Sequence, residues 1–333
     1  MITIPPSIRA ALWHELGDHG LLLDVDTYRD YLARVTITGC EELASLREGM
    51  TRGQWSLVAD GLDAVGSERD LERILGFGRL LTDYASGPAD DGLTSEAYDA
   101  VGRLGALSNL IVTLFDTVFE SESAVPFSPL TLEALSAGKG VLLRQRELLT
   151  AAPSHRALHR LTYRYFQHLR ELPGAKERPE LVCLVKSAIT RMYEAESETA
   201  LRHDCRDQAL RRKSSLPFAV IGLPIWLATR SASEAGVRSH ARWLYRLGEF
   251  IGWLDDIVDL DHDRRCGHPN RVDRALASSR QSQTALVSTI ARTGWRVQSS
   301  WRAHEPERYR HAHAVLPAVI MSWFGGEECG IPA

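Results

Sequence analysis

The chain has 333 residues, 44% of them hydrophobic and 25% charged, which is ordinary globular composition with ample material for a large core. A net charge of −4 without any long basic run speaks against nucleic acid as a partner. The five cysteines, Cys40, Cys183, Cys205, Cys266 and Cys329, are odd in number and form no CxxC pair, so they read as free thiols of a reducing, cytoplasmic compartment and not as a disulfide framework or zinc site.

The N-terminal MITIPPSIRAALWHEL lacks the basic-then-apolar layout of a signal peptide. Period-2 alternation is nearly absent, while helical periodicity is widespread. One all-α domain over residues 1–333 is therefore expected, a large helical bundle with a buried central layer. Helices are predicted near 7–16, 26–49, 67–85, 94–121, 129–150, 154–171, 178–212, 216–229, 234–262, 270–302 and 306–324. The breaks between them fall at Gly and Pro, as at Gly87-Pro88, Pro173-Gly174 and Gly267 with Pro269. The longest apolar run, Leu216–Ala228, has 13 residues and two prolines. A bilayer needs ~20 residues, so this run reads as a buried helix and no transmembrane segment is expected.

The helix expected over 94–121 carries a polar seam. In LSNLIVTLFDTVFE, Asn109, Thr113, Asp116 and Glu120 fall at i, i+4, i+7 and i+11, one line along a helix. The rest of its surface is Leu, Ile, Val and Phe, too apolar for a solvated helix. The seam is therefore expected to line a polar cavity, with Asp116 and Glu120 as a carboxylate pair. Farther on, RDQALRRK is a basic segment containing Arg206, Arg211, Arg212 and Lys213. These cannot all share one face, and on its own such a run is a wet surface. Beside acidic clusters it could hold a polyanion.

The third feature is LGEFIGWLDDIVDLDHD, Leu247–Asp263. Asp255, Asp259 and Asp263 share one helical face, with Asp256 beside them and Gly252 and Gly248 behind. Like charges at this spacing repel. Oxygen-only ligands on one element suit Mg²⁺, which binds through one or two carboxylates, waters and substrate phosphates. The two glycines either leave room beneath a metal site or allow close helix–helix approach.

At these residues the chain resembles the class I isoprenoid synthases, the trans-prenyl diphosphate synthases and the terpene cyclases that share their helical fold. The Leu247–Asp263 stretch looks like their second aspartate-rich motif. Lys213-Ser214 stands 42 residues before Asp255 and Asp116 stands 139 before it, near where that family places its diphosphate-binding Lys-Thr pair and its first acidic motif. The resemblance covers roughly residues 95–270. It departs from the family where FDTVFE replaces a first DDxxD, where SESAVPFS lacks the arginines that follow it in chain-elongating enzymes, and where Gly252 replaces a usual Gln.

The resemblance implies a bundle around a central active-site cavity, and an enzyme that ionises one allylic prenyl diphosphate without extending it. That would be a terpene cyclase or diphosphate lyase, with a prenyltransferase as the alternative. It further implies Mg²⁺ held by Asp116, Glu120, Asp255, Asp256 and Asp259, with diphosphate held by Lys213 and by Arg206 or Arg212. Asn109, Thr113, Phe115, Gly248 and Gly252 would border the substrate. Phe119, Phe218, Trp226, Trp253 and Trp323 are further candidates for an aromatic lining that stabilises a carbocation. A homodimer is common in that family. Two rival readings differ in class. His155, His159, His203, Asp204 and Asp255 imitate the ligand order of HD phosphohydrolases, and the reduced first motif would also suit a catalytically inactive partner subunit.

Overall fold

The computed structural model describes residues 7–87, 93–122, 152–201, 207–229, 232–278, 282–302 and 312–324. Among the described residues all regular structure is helical. In chain order the helices are α1 Ser7–Asp18, α2 Val25–Glu48, α3 Arg52–Leu62, α4 Glu68–Ser86, α5 Ser95–Glu122, α6 Pro153–Glu171 and α7 Pro179–Leu201. They continue with α8 Asp207–Gly222, α9 Ile225–Ala228, α10 Glu234–Val258, α11 Leu260–Cys266, α12 Arg271–Ala277, α13 Gln283–Arg302 and, after a 3-10 turn at Ala312–Ala314, α14 Val315–Phe324. Their buried side chains join into one continuous core running from Ile8 to Phe324. The helix expected over 129–150 lies outside the described residues, as do Cys205 and Cys329. Cys40, Cys183 and Cys266 are free thiols.

Several helix boundaries differ from expectation. Helix α3 was not anticipated, although Thr51 and Gln54 form the reciprocal capping box that starts it. A break was expected between Arg212 and Leu216, yet α8 runs unbroken through Ser214, Ser215 and Pro217 to Gly222. Pro217 has no N–H, so the Lys213 carbonyl one turn back lacks its helical donor. The 234–262 helix divides at Asp259, whose φ of −90° and ψ of 0° turn the chain between α10 and α11. The 270–302 helix divides into α12 and α13. Asn270 starts α12 by accepting from the N–H groups of Val272 and Asp273.

Part of α5, Ser95–Val118, is long and apolar enough to cross a membrane by composition, but 67% of that window is buried inside the protein. It is a core helix, with α4, α6, α7 and α8 packed around it. Glycines set the closest approaches. A Cβ on Gly248 of α10 would meet the Ser215 Cα at 2.6 Å and the Ser214 carbonyl oxygen at 2.7 Å on α8. A Cβ on Gly252 would overlap Ser214 and the Arg271 guanidinium. These two glycines therefore open no space for a substrate. They let α10 lie directly on α8.

A second buried junction ties α10 to α4 and α9. His240 Nδ1 accepts from Trp226 Nε1 at 2.8 Å, and its Nε2–H donates to the Ala85 carbonyl at 2.6 Å. The ring stacks on Trp243 with centroids 6.0 Å apart. Burial holds the imidazole down at about 4, from an ordinary 6.5. The unfolded chain therefore takes up this proton first as pH falls below 6.5. The stabilisation from neutral His240 is complete above that value and is lost progressively towards pH 4. The buried His159 shows the same shift, also from desolvation. Buried carboxylates elsewhere shift in the opposite sense, so the expected result is a difference between two proteins. Between pH 7 and pH 5, wild type should lose about 2 kcal/mol relative to His240→Gln in urea unfolding. A gap that does not change with pH would show that His240 titrates normally.

Candidate functional site

Three of the residues singled out in the sequence meet in the fold. Asp116 comes from the C-terminal half of α5, Lys213 from the second turn of α8 and Asp255 from the last turn of α10. Lys213 Nζ lies 3.6 Å from Asp116 Oδ1 and 3.1 Å from Glu196 Oε2 on α7. The ammonium feels the charge of Asp255 as well. Burial pulls Lys213 down, but the opposing charges of Glu196, Asp116 and Asp255 outweigh it and hold the amine well above its ordinary value. Lys213 is therefore a fixed cation at neutral pH, with about a third of its side chain open to water.

Glu196 was not among the residues singled out in the sequence. A signal was present, since Val185, Ile189, Met192, Glu196 and Thr199 follow the i, i+4, i+7, i+11, i+14 line of a buried face. The other members are apolar or uncharged, and Glu196 is 4% exposed. Desolvation pushes its carboxyl up from the ordinary range and Asp116 adds repulsion, while the Lys213 ammonium 3.1 Å away pulls it back towards the charged form.

The aspartates of the Leu247–Asp263 stretch separate into two groups. Asp255 is reached by water but closely surrounded by protein, and Asp259 is exposed. Crowding and the charge of Asp259 push Asp255 up to about 7, while Lys213 pulls it down. Burial and the nearby Asp263 likewise raise Asp259. Arg9 of α1 closes this end of α10, its Nη2 donating to the Val258 carbonyl at 2.6 Å.

Asp256 faces elsewhere. Its Oδ2 accepts from Arg271 Nε at 2.5 Å, and Arg271 is 5% exposed. The guanidinium lies 4.9 Å from the centroid of the Trp253 ring and donates to Ser214 Oγ at 3.2 Å. Asn270 Nδ2 ties the Asp256 carbonyl to Asp263 Oδ2 at 2.7 and 2.8 Å. Asp256 and Asp263 thus hold α12 against α10, with Asp256 Oδ2 engaged by Arg271.

Beside the charged residues lies a cleft of about 490 Å³ between α4, α5, α8, α10 and α14. Thr113, Phe218 and Ile251 line it, three, five and four residues along their helices from Asp116, Lys213 and Asp255, which do not themselves line it. Phe77, Val319 and Trp323 contribute apolar wall, and Asp70, Arg73 and Ser322 a polar edge. Two residues of the polar seam of α5, Asn109 and Thr113, line this space, and their donors are satisfied locally. Asn109 Nδ2 donates to the Ile74 carbonyl at 2.8 Å, and Thr113 donates to the Asn109 carbonyl at 3.0 Å.

The remaining residues divide as follows. Phe115 is 1% exposed and packs edge-on against Tyr193, so it is core and not lining. Trp226 is bound to His240, and Trp253 lies under Arg271. Arg211 pairs with Glu249 at 3.6 Å, and Arg212 is half-buried on the same turn. Arg206, His203 and Asp204 lie outside the described residues, as do the side chains of Phe119 and Glu120. His159, on α6, is part of the buried core.

Among the described residues no three His, Cys, Asp or Glu side chains converge as a ready-made metal cage. The donors present still fit a hard cation. Asp255 and Asp259 crowd each other on one face, and the buried Asp116 Oδ1 accepts no hydrogen bond. Such a cation would take its remaining positions from water and substrate oxygens, as Mg²⁺ commonly does. No family model matches the chain, and no curated protein matches it in sequence.

Proposed function

We propose that this protein is a Mg²⁺-dependent class I terpene synthase, a cyclase or diphosphate lyase that ionises an allylic prenyl diphosphate and releases pyrophosphate. The observation that carries this reading is the meeting of Asp116, Lys213 and Asp255, from three helices, beside an apolar-walled cleft. An apolar chain with a polyanionic head has matching chemistry at both ends of that arrangement.

In the proposed reaction the allylic C–O bond breaks and both electrons leave with the pyrophosphate oxygen. Loss of a proton or capture of water then ends the reaction. Asp255, Asp259 and Asp116 would hold Mg²⁺, which supplies Lewis-acid stabilisation of the charge developing on the leaving group. Lys213 binds the leaving group directly. Its ammonium is held charged by Glu196, so it needs no proton from elsewhere. Phe218, Phe77 and Trp323 exclude water from the allylic cation, and their ring faces can stabilise it.

Incubation with C10, C15, C20 and C25 prenyl diphosphates, with and without Mg²⁺, tests the reading. Pyrophosphate release and extracted products are measured together. A Mg²⁺-dependent cyclic hydrocarbon or alcohol from one chain length is the expected result. Longer prenyl diphosphates made on adding isopentenyl diphosphate would favour a prenyltransferase. Silence from folded protein across all four would favour a non-catalytic partner subunit.

A further inference from the structure

Lys213 has two partners of unequal strength. The Glu196 contact is the shorter, at 3.1 Å, and its carboxylate is 4% exposed. The Asp116 contact is 3.6 Å, beyond hydrogen-bonding length, and that side chain is more than a third exposed. Leaving a buried carboxylate unpaired is costly. A half-solvated pair contributes little. An anion arriving beside Lys213 would therefore draw the ammonium off Asp116 while Glu196 keeps hold of it.

Resting on the reading above, we propose that Lys213 is a latch: tethered by Glu196, it occupies Asp116 in the empty protein and releases that carboxylate to a divalent cation only when diphosphate takes its place. Glu196 is then a positioning residue, since it acts through Lys213 and not on the substrate. Three features follow from the geometry. Asp116 has no free cation site while the ammonium sits beside it. Diphosphate supplies the counter-charge that lets Lys213 leave. Glu196 limits the movement, so the amine stays at the leaving group throughout. Cation and anion binding become coupled through one side chain, and each must strengthen the other by the same factor.

The test is binding of Mn²⁺, followed by the electron paramagnetic resonance of the free ion, with and without inorganic pyrophosphate. Wild type should bind Mn²⁺ weakly alone and about tenfold more tightly with pyrophosphate. Lys213→Met should bind Mn²⁺ alone about tenfold more tightly than wild type, and pyrophosphate should add little further. If Lys213→Met does not fold because Glu196 is left unpaired, Glu196→Gln with Lys213→Met removes both buried charges and should show the same gain at Asp116. A wild type that responds to pyrophosphate, beside variants whose affinity for Mn²⁺ alone is unchanged, overturns the latch and leaves the proposed function standing. Wild type that binds no Mn²⁺ even with pyrophosphate overturns the proposed function, and the latch with it.

Discussion

Asp255→Ala and Asp116→Ala are each expected to lower Mg²⁺-dependent pyrophosphate release by at least about 10²–10³-fold, the scale of losing one electrostatic element of a site. Far-UV circular dichroism should be unchanged. Both side chains are in contact with water, neither caps a helix, and Asp255 is destabilised by its acidic neighbours. Removing it relieves repulsion, so the variant should be at least as stable as wild type in urea. The combination of lost turnover and retained stability is the diagnostic result. Wild-type turnover in either variant would remove Asp116 or Asp255 from the site.

Arg271→Ala should do the reverse and act first on stability. Arg271 is buried against Asp256, stacked on Trp253 and bonded to Ser214. Removing one partner of a buried pair costs about 3–5 kcal/mol, because the other charge is left uncompensated. Urea unfolding should show that loss. Arg271→Met combined with Asp256→Leu should recover most of it, since a buried pair can be replaced by well-packed apolar groups at little net cost. If Arg271→Ala keeps full stability and loses turnover instead, Arg271 belongs with the substrate and Asp256 with the metal.

The two aspartates at 255 and 256 mark the limit of what could be read from the chain alone. Helical periodicity was strong enough to give the all-α class, because apolar stripes survive averaging over many residues. The seam of α5 and the spacing of Asp116, Lys213 and Asp255 pointed to one location, and the three do come together. Which adjacent carboxylate faces water was not legible, because it depends on Arg271, which lies 15 residues away beyond a loop. Glu196 was obscured for a related reason: in a polar run only its phase against Ile189 and Met192 marks it as buried. The glycines were ambiguous by nature, since an absent side chain can mean open space or a neighbour's backbone. Here Ser214 and Ser215 occupy the space. Proline was a poor guide at 217, where packing of the flanking Leu216, Phe218 and Val220 keeps the helix going despite the missing donor.

That missing donor has a mechanical consequence. Along most of α8 each peptide group is held by a hydrogen bond to the turn beyond it, so bending the axis stretches several bonds together. At Lys213 one of those bonds does not exist. The helix is most compliant at the turn bearing the ammonium, and a small tilt there is not opposed by the ladder. Pro217→Ala would restore the bond and stiffen the turn. The backbone is therefore softest under the side chain with the most charges to choose between, and it is flanked by the rigid, glycine-faced contact with α10.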